Sequence, residues 1–233
     1  MATDPTAWLQ LTTEEVLDPR LPICDPHHHL WDYPQNRYLL DELLQDIGSG
    51  HNVVETVFVE CMAMYRKAGP REMQPVGETE FVQGIAAQSA SGQYGPTAVA
   101  AGIVSFADLT LGAAVEPVLE AHIAASRNRF RGIRYATSWD ASPDVRNAHT
   151  KPIEGLLFDA TFRKGFACLR KLGLSFDAWL YHTQLLDLAD LAKAFPDTTI
   201  ILDHIGGPLG IDPYEGKRAD SAKSPRTARG PLC

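Results

Sequence analysis

Residues 158–204 read FDATFRKGFACLRKLGLSFDAWLYHTQLLDLADLAKAFPDTTIILDH, and this stretch decides the fold class. Apolar residues at helical spacing alternate here with short continuous apolar runs, which are typical of buried strands. The segments predicted from this pattern are helices at Phe158–Leu172 and Gln184–Phe195 and strands at Leu174–Leu180 and Thr198–His204. Gly173 and Pro196 stand where the two helices should end. Strands separated by helices indicate parallel pairing through helical crossovers.

The same alternation extends towards the N-terminus. Further strands are predicted at Leu21–His29, Val53–Cys61, Thr97–Phe106 and Phe130–Ala136, and further helices at Leu39–Ile47, Pro75–Ser91 and Thr110–Ser126. Nearly all strand residues are apolar, as expected for a sheet covered on both faces. Either an open doubly wound sheet or a (β/α) barrel fits this order. No G-x-G-x-x-G fingerprint follows the first strand. Polar residues instead gather at the strands' carboxyl ends, which favours a barrel.

The predicted fold class is therefore α/β, a (β/α)8 TIM-barrel type. A closed barrel needs eight units, and the sequence shows about six, so we expect a truncated barrel. The predicted organisation is an N-terminal arm at 1–20, an incomplete barrel domain at 21–216, and a disordered or out-of-frame tail at 217–233. An open barrel exposes two strand edges, which predicts poor solubility and little turnover.

Composition excludes several functional classes. The net charge of −8 argues against nucleic-acid binding, because phosphate recognition requires a surplus of Lys and Arg. No secretory signal and no membrane-length apolar run is visible, so a cytoplasmic location without membrane association is expected. Cys24 and Cys61 lie in apolar runs and are expected in the core, and the spacing of the cysteines predicts neither disulfides nor a cysteine-rich zinc site.

The strongest chemical signal is Ile23-Cys-Asp-Pro-His-His-His-Leu-Trp31. Side chains alternate across a strand, so Asp25, His27 and His29 should share one face and His28 should point away. Imidazole is a common ligand of Zn²⁺, and two imidazoles at one strand end can reach the same ion or substrate group. The alternative is a surface histidine cluster or an artificial tag.

Other polar side chains follow later strands. His204 ends the last predicted strand on the face of Ile200 and Leu202, with Asp203 on the opposite face, and is interpreted as functional rather than structural. His182 follows the fifth strand and is a further catalytic candidate. The predicted substrate-binding residues are Arg134, Glu60, Trp179 and Tyr181. A salt bridge between Arg134 and Glu60, or simple packing of the two aromatic residues, remains open. By contrast, surface positions are predicted for His51, His122 and His149.

Together these motifs resemble the amidohydrolase-related (amidohydrolase 2) family, in particular the branch that includes 2-pyrone-4,6-dicarboxylate lactonase and sugar lactonases. The resemblance covers roughly residues 20 to 218. The motifs that carry it are Asp25-Pro-His-His-His29, Phe130-Arg-Gly-Ile-Arg134, Tyr181-His-Thr-Gln-Leu185 and Leu202-Asp-His-Ile-Gly206.

This resemblance implies a hydrolase acting on a lactone or another cyclic ester or amide of a small organic acid. His27, His29, His182 and His204 would hold a divalent metal such as zinc, with the first, second and fourth as the main ligands, or would contact substrate directly in a metal-free enzyme. Arg134 would bind a substrate carboxylate or carbonyl. The family's strand-eight Asp, its general base, has no counterpart here, and no Lys occupies the fourth strand for a two-metal site.

Three further expectations complete the sequence-based hypothesis. The partner is a small-molecule carboxylate or lactone, with homo-oligomerisation left open. Decarboxylation of an aromatic acid on the same scaffold is the alternative reaction. An inactive truncated fragment is the alternative that is not an enzyme.

Overall fold

A computed structural model describes residues 11, 12 and 14–215 of the chain. The predicted arm at 1–20 therefore lies largely outside the described residues. The predicted tail at 217–233, including Cys233, lies entirely outside them.

Eight strands and five α-helices follow one another in the described chain. The strands are β1 (Pro22–His28), β2 (Trp31–Tyr33), β3 (Asn36–Tyr38), β4 (Asn52–Val59), β5 (Ala98–Ser105), β6 (Phe130–Ala136), β7 (Ser175–Trp179) and β8 (Ile200–Leu202). The helices are α1 (Leu40–Ile47), α2 (Val76–Ala90), α3 (Glu116–Ala125), α4 (Ala160–Lys171) and α5 (Leu185–Ala194). Short 3₁₀ turns lie at Arg71–Met73, Leu109–Val115, Leu156–Phe158, His182–Gln184, Asp203–Gly206 and Asp212–Tyr214.

Six strands form one parallel sheet in the order β1-β4-β5-β6-β7-β8, which is also their order along the chain. The sheet is curled into a half-barrel, so the predicted α/β fold of the TIM-barrel type is confirmed. Because all six strands run the same way, their carboxyl ends meet at one rim of the sheet. Side chains that leave the strands at this rim can converge even when they are far apart in sequence.

The core lies between the sheet and its helices. Phe176 on β7 meets Phe166 on α4 with ring centroids 5.1 Å apart, and both side chains are fully buried. Asp159 caps α4 by accepting hydrogen bonds from the amides of Thr161 and Phe162. This packing fixes the outer face of β7 and leaves its other face to the interior of the half-barrel.

Two local predictions are corrected, and one hairpin was missed. The hairpin of β2 and β3 was not predicted, because each strand is only three residues long. Cys24 is exposed rather than in the core, since alternate residues of β1 face solvent. His122 was predicted at the surface but is fully buried, because α3 packs against α2, where Thr79 offers a hydrogen-bond partner. In the part of the chain that the structure describes, no helix is both long and apolar enough to cross a bilayer.

Candidate active site

Strand β1 delivers two histidines to the carboxyl rim of the sheet. The backbone amide of His27 donates to Asp25 Oδ1 at 3.1 Å, and this local bond accompanies a break in the register with β4. The ring of His27 then meets the ring of His29 edge to face, with centroids 4.9 Å apart. His28 is buried on the other side, where its Nε2 lies 2.9 Å from Thr56 Oγ1.

A backbone carbonyl orients His29. Its Nδ1 lies 2.7 Å from the carbonyl oxygen of Val59, and because a carbonyl can only accept, the ring N–H donates. The Nε2 lone pair of His29 is consequently free to bind a ligand. Burial is the main reason why the pKa of His29 is lowered, which favours the neutral, ligating form.

Arg134 lies near the carboxyl end of β6, the fourth strand of the sheet, and is held by Glu60. Its Nε donates to Glu60 Oε1 at 2.9 Å, and its Nη2 donates to the Glu60 carbonyl. Glu60 is fully buried, so its carboxylate positions Arg134 and presents no surface to a substrate. Arg134 Nη1 lies 3.3 Å from His27 Nε2, which brings the guanidinium to the histidine cluster.

The end of β8 differs from its prediction. The strand stops at Leu202 and a 3₁₀ turn begins at Asp203, so the alternation that put His204 on the face of Ile200 no longer applies. His204 adopts left-handed backbone angles (φ 50°, ψ 37°). Asp203, predicted to point away, is instead buried, with Oδ1 3.9 Å from His27 Nδ1. The Gly206-Gly207 pair was the sequence signal for an early turn.

His204 nevertheless reaches the site. Its ring centroid lies 4.8 Å from that of His27 and 4.8 Å from that of Trp179, which it meets at 90°. Trp179 therefore borders the cluster, and its predicted role in substrate binding stays a prediction. Tyr181 packs edge-on against Trp179 at 6.2 Å and donates its hydroxyl to the Arg146 carbonyl, so it anchors a loop.

His182 lies apart from the other three candidate histidines. It opens the turn after β7, and its Nδ1 accepts a hydrogen bond from the Leu209 amide at 3.3 Å. Its ring meets Tyr214 edge-on at 5.0 Å. These contacts give His182 a role in holding the segment after β8, and its catalytic role stays a prediction.

Three side chains form a group that suits a metal ion. His27, Asp203 and His204 each offer one ligand atom, and these atoms lie within 4.8 Å of one another. Tetrahedral zinc with bonds of about 2.1 Å places its ligand atoms about 3.4 Å apart, so small side-chain rotations would complete the geometry. Asp203 Oδ2 is buried and has no hydrogen-bond partner among the described residues, which fits an oxygen aimed at a cation.

The electrostatics agree with this donor set. Burial, followed by the charge of Arg134, lowers the pKa of His27 to about 3, so its imidazole is neutral at neutral pH. Burial raises the pKa of Asp203, while Arg134 and His204 oppose that shift. A divalent ion would compensate the buried carboxylate and use the neutral imidazole, which are the ligand types zinc accepts.

Two carboxyl groups near the site were not singled out from the sequence. Asp177 on β7 pairs in register with Arg134, is buried, and has an Oδ1 without a partner in the described chain. Burial, then the nearby Asp203, raises its pKa to about 7. Glu78 on α2 accepts hydrogen bonds from the amides of Cys61 and Ala63, at 3.0 and 2.8 Å, and so holds the chain just after Glu60.

A cavity of about 450 Å³ runs along β1 beside the cluster. Its lining includes His27, His28 and His29 together with Trp31 and Tyr38. The histidine motif therefore borders open space in which a small molecule fits.

A parallel half-barrel with histidine, aspartate and arginine side chains at its carboxyl rim has the arrangement of (β/α)-barrel enzymes. The sequence profile described as Amidohydrolase matches residues 24–228, and the chain belongs to this family.

Three comparisons place it among known proteins. An uncharacterized protein, y4mH of Sinorhizobium fredii (strain NBRC 101917 / NGR234), is 28% identical over 238 residues, which cover 88% of this chain and 71% of that protein. A crystal structure of an amidohydrolase from Burkholderia multivorans with bound zinc matches with a TM-score of 0.54 and 21% identity, covering 79% of this chain. A second crystal form with bound HEPES matches equally, at 0.54 and 21% over 78% of this chain. The chain spans 58% and 57% of the length of these two solved chains, and the likeness shows the fold.

Proposed function

We propose that the protein hydrolyses a lactone, or another cyclic ester or amide of a small organic acid, at the carboxyl rim of the half-barrel. The observation that carries this proposal is the convergence of His27, Asp203 and His204, which come from opposite ends of the described chain. Membership of the amidohydrolase family supports hydrolysis as the reaction class.

One divalent ion, with zinc as the first candidate, is part of the proposal. His27, Asp203 and His204 would hold it, with His29 beside them, and the zinc bound by the Burkholderia amidohydrolase supports this choice. When bound, such an ion polarises the scissile carbonyl and lowers the pKa of a coordinated water. A single ion is favoured because the fourth strand of the sheet carries Arg134 near its carboxyl end and no lysine.

Arg134 is the proposed substrate anchor. Glu60 fixes two of its nitrogens, so the guanidinium keeps one orientation and its Nη1 faces the His27 ring. A planar, preoriented guanidinium suits a carboxylate or a polarised carbonyl oxygen. Trp179 borders the site on the side of His204, whose ring stays exposed to solvent and so accessible to a substrate.

The substrate class follows from this anchor and from the resemblance to dicarboxylate and sugar lactonases. The test uses the full chain loaded with zinc and a panel of aldonolactones and 2-pyrone-4,6-dicarboxylate, with base uptake measured at constant pH. We expect uptake that is lost in His204→Asn and after chelation. We also expect Arg134→Lys to raise KM more for lactones that carry a free carboxylate.

The alternatives have distinct outcomes in the same experiment. Release of CO₂ from aromatic acids without base uptake would replace hydrolysis by decarboxylation. Stoichiometric zinc binding without turnover of either panel would favour a fragment without activity.

A further inference from the structure

A second cavity lies at the same rim of the sheet, away from the histidine cluster. It measures about 560 Å³ and is formed by the loops that follow β4, β5 and β6. A neighbouring cavity of about 410 Å³ shares Asp108, Tyr135, Thr150 and Lys151 with it, so the two form one trough with Lys151 at the junction. This volume is in the range of sites for small organic ligands.

The floor of this trough is aromatic and rigidly held. Phe106 packs against Tyr135 at 5.5 Å and against His149 at 6.4 Å, between ring centroids. The Phe106 carbonyl accepts a hydrogen bond from Nε2 of the buried His122, and Thr79 Oγ1 lies 2.7 Å from the other ring nitrogen. Thr150 donates its hydroxyl to the Ala136 carbonyl at the end of β6, which fixes the opposite wall.

The charged side chains of the trough differ in how far they are paired with neighbouring residues. One oxygen of Asp108 accepts from the Thr110 amide and hydroxyl, at 3.0 and 2.6 Å, and the Tyr135 hydroxyl lies 3.5 Å from it. Within the described residues, Arg71 and Lys151 form no ion pair within 4.0 Å, and Glu72 beside Arg71 forms none either. These two cations line one cavity and have no ion-pair partner in the described part of the chain, so they are available to a ligand carboxylate.

Strained backbone marks the same trough. Lys151 has φ 53° and Met62 has φ 64°, and both residues line the cavity from different loops. Left-handed angles cost non-glycine residues free energy, and such residues concentrate where a ligand is clamped.

The charges of Glu60 and Arg134 act on one residue of the trough, Tyr65. It lines the cavity, and burial together with the charges of Glu78 and Glu60 raises its pKa, while Arg134 opposes the shift.

We propose that this trough binds an aromatic or similarly planar carboxylate, with the ring on Phe106 and the carboxylate on Lys151 and Arg71. The inference deepens the proposed hydrolase function, since it assigns the non-reacting part of the substrate a compartment and a chemical class. Lys151 and Arg71 are then the residues that determine specificity.

Binding can be tested without turnover. Isothermal titration of the full chain with benzoate, benzamide and benzylamine compares one ring with an anionic, a neutral and a cationic substituent. We expect benzoate to bind most tightly. Lys151→Gln and Arg71→Gln should each weaken benzoate by about fivefold, the scale of one exposed ion pair, and leave benzamide unchanged. Lys67→Gln, an exposed lysine outside the trough, is the matched control.

Several results would overturn the assignment. The assignment would be wrong if benzoate and benzamide bound equally, or if benzylamine bound most tightly. It would also be wrong if Lys67→Gln weakened benzoate binding as much as Lys151→Gln and Arg71→Gln do. The titration is repeated with His204→Asn, which should retain benzoate. Benzoate binding by the zinc-loaded wild type without any lactone hydrolysis would reject the proposed function and keep the trough. Lactone hydrolysis by the wild type without an effect of Lys151→Gln on benzoate binding would do the reverse.

Discussion

Asp203 is the residue on which the proposed metal site depends most. It is buried, its Oδ1 lies 3.9 Å from His27 Nδ1, and its Oδ2 lies 3.9 Å from Arg134 Nη1 but has no hydrogen-bond partner among the described residues. We expect Asp203→Asn to lower zinc affinity by at least tenfold, because an amide replaces the charged ligand. Zinc content after dialysis against a metal buffer, measured by mass spectrometry, checks this.

Asp177→Asn is the matched control for that experiment, because it removes a buried carboxylate one strand away that is outside the ligand group. Equal zinc loss in both variants would show that the Asp203 effect is general destabilisation.

Asp177 should also make stability depend on pH. Its folded pKa of about 7 lies above the ordinary value of about 3.9, so the stability it contributes at low pH is lost as pH rises from 4 to 7. Asp177→Asn removes this loss. The free energy of unfolding of the variant, relative to that of the wild type, should therefore rise by about 1–3 kcal/mol between pH 5 and pH 8. Urea unfolding of both proteins at pH 5 and pH 8 measures this difference. The same difference at the two pH values would contradict the raised pKa of Asp177.

The residue scale is also where prediction from sequence was least complete. His27 and His29 were singled out because two histidines at one strand end can reach the same ion or substrate group. Asp203 was missed because its orientation depends on where β8 stops, and strand ends are set by tertiary contacts such as that between the amide of His182 and the carbonyl of Gly207.

At the scale of elements, a buried polar cluster joins α2, β5 and α3. Thr79 Oγ1 lies 2.5 Å from Ser105 Oγ and 2.7 Å from His122 Nδ1. Burial lowers the pKa of His122 to about 4, below its ordinary value of about 6.5, so stability falls as pH drops from 6.5 to 4.

His122→Gln should therefore be less stable than the wild type at pH 7.5 by about 1–3 kcal/mol, since buried hydrogen bonds are lost. When the pH is lowered from 7 to 5, the free energy of unfolding of the variant should fall by about 2 kcal/mol less than that of the wild type. His51→Gln, at an exposed position, is the control and should change neither quantity. Parallel pH dependences of the wild type and His122→Gln would argue against a neutral buried imidazole.

Two helical glycines give opposite expectations. A Cβ on Gly165 of α4 would lie 2.4 Å from the Leu109 carbonyl oxygen, whereas a Cβ on Gly84 of α2 meets nothing within 4 Å. Gly165→Ala should destabilise the protein by about 2 kcal/mol, and Gly84→Ala should stabilise it by up to about 1 kcal/mol. Thermal unfolding of both variants tests this, and shifts of the same sign would count against the close approach of α4 to the turn at Leu109–Val115.

Elements were predicted better than their ends. The strand at Phe130–Ala136 was predicted with its observed bounds, because apolar residues occupy both faces. The predicted helix at Thr110–Ser126 divides into a 3₁₀ turn and α3 at Val115, since Gly112 adopts non-helical angles.

At the scale of the whole molecule, the order of the strands in the curled sheet explains why the residues of the candidate site converge. β1 and β8 are at opposite edges of the described sheet, yet its curl brings their carboxyl ends together. Side chains along the β8 edge are apolar and exposed, with Ile205 87% accessible. The predicted poor solubility stays a prediction, and it has a structural basis in this surface.

The fold class could be predicted because alternation of strand and helix leaves few topologies. The trough between the loops after β4, β5 and β6 could not, because the contact of Phe106 with His149 joins loops of irregular structure.

The most direct test is a crystal structure of the zinc-loaded protein with anomalous diffraction recorded at the zinc absorption edge. We expect one peak within about 2.3 Å of a nitrogen of His27, an oxygen of Asp203 and a nitrogen of His204. A zinc peak elsewhere, or no peak at saturating zinc with these three side chains ordered, would contradict the metal site on which the account rests.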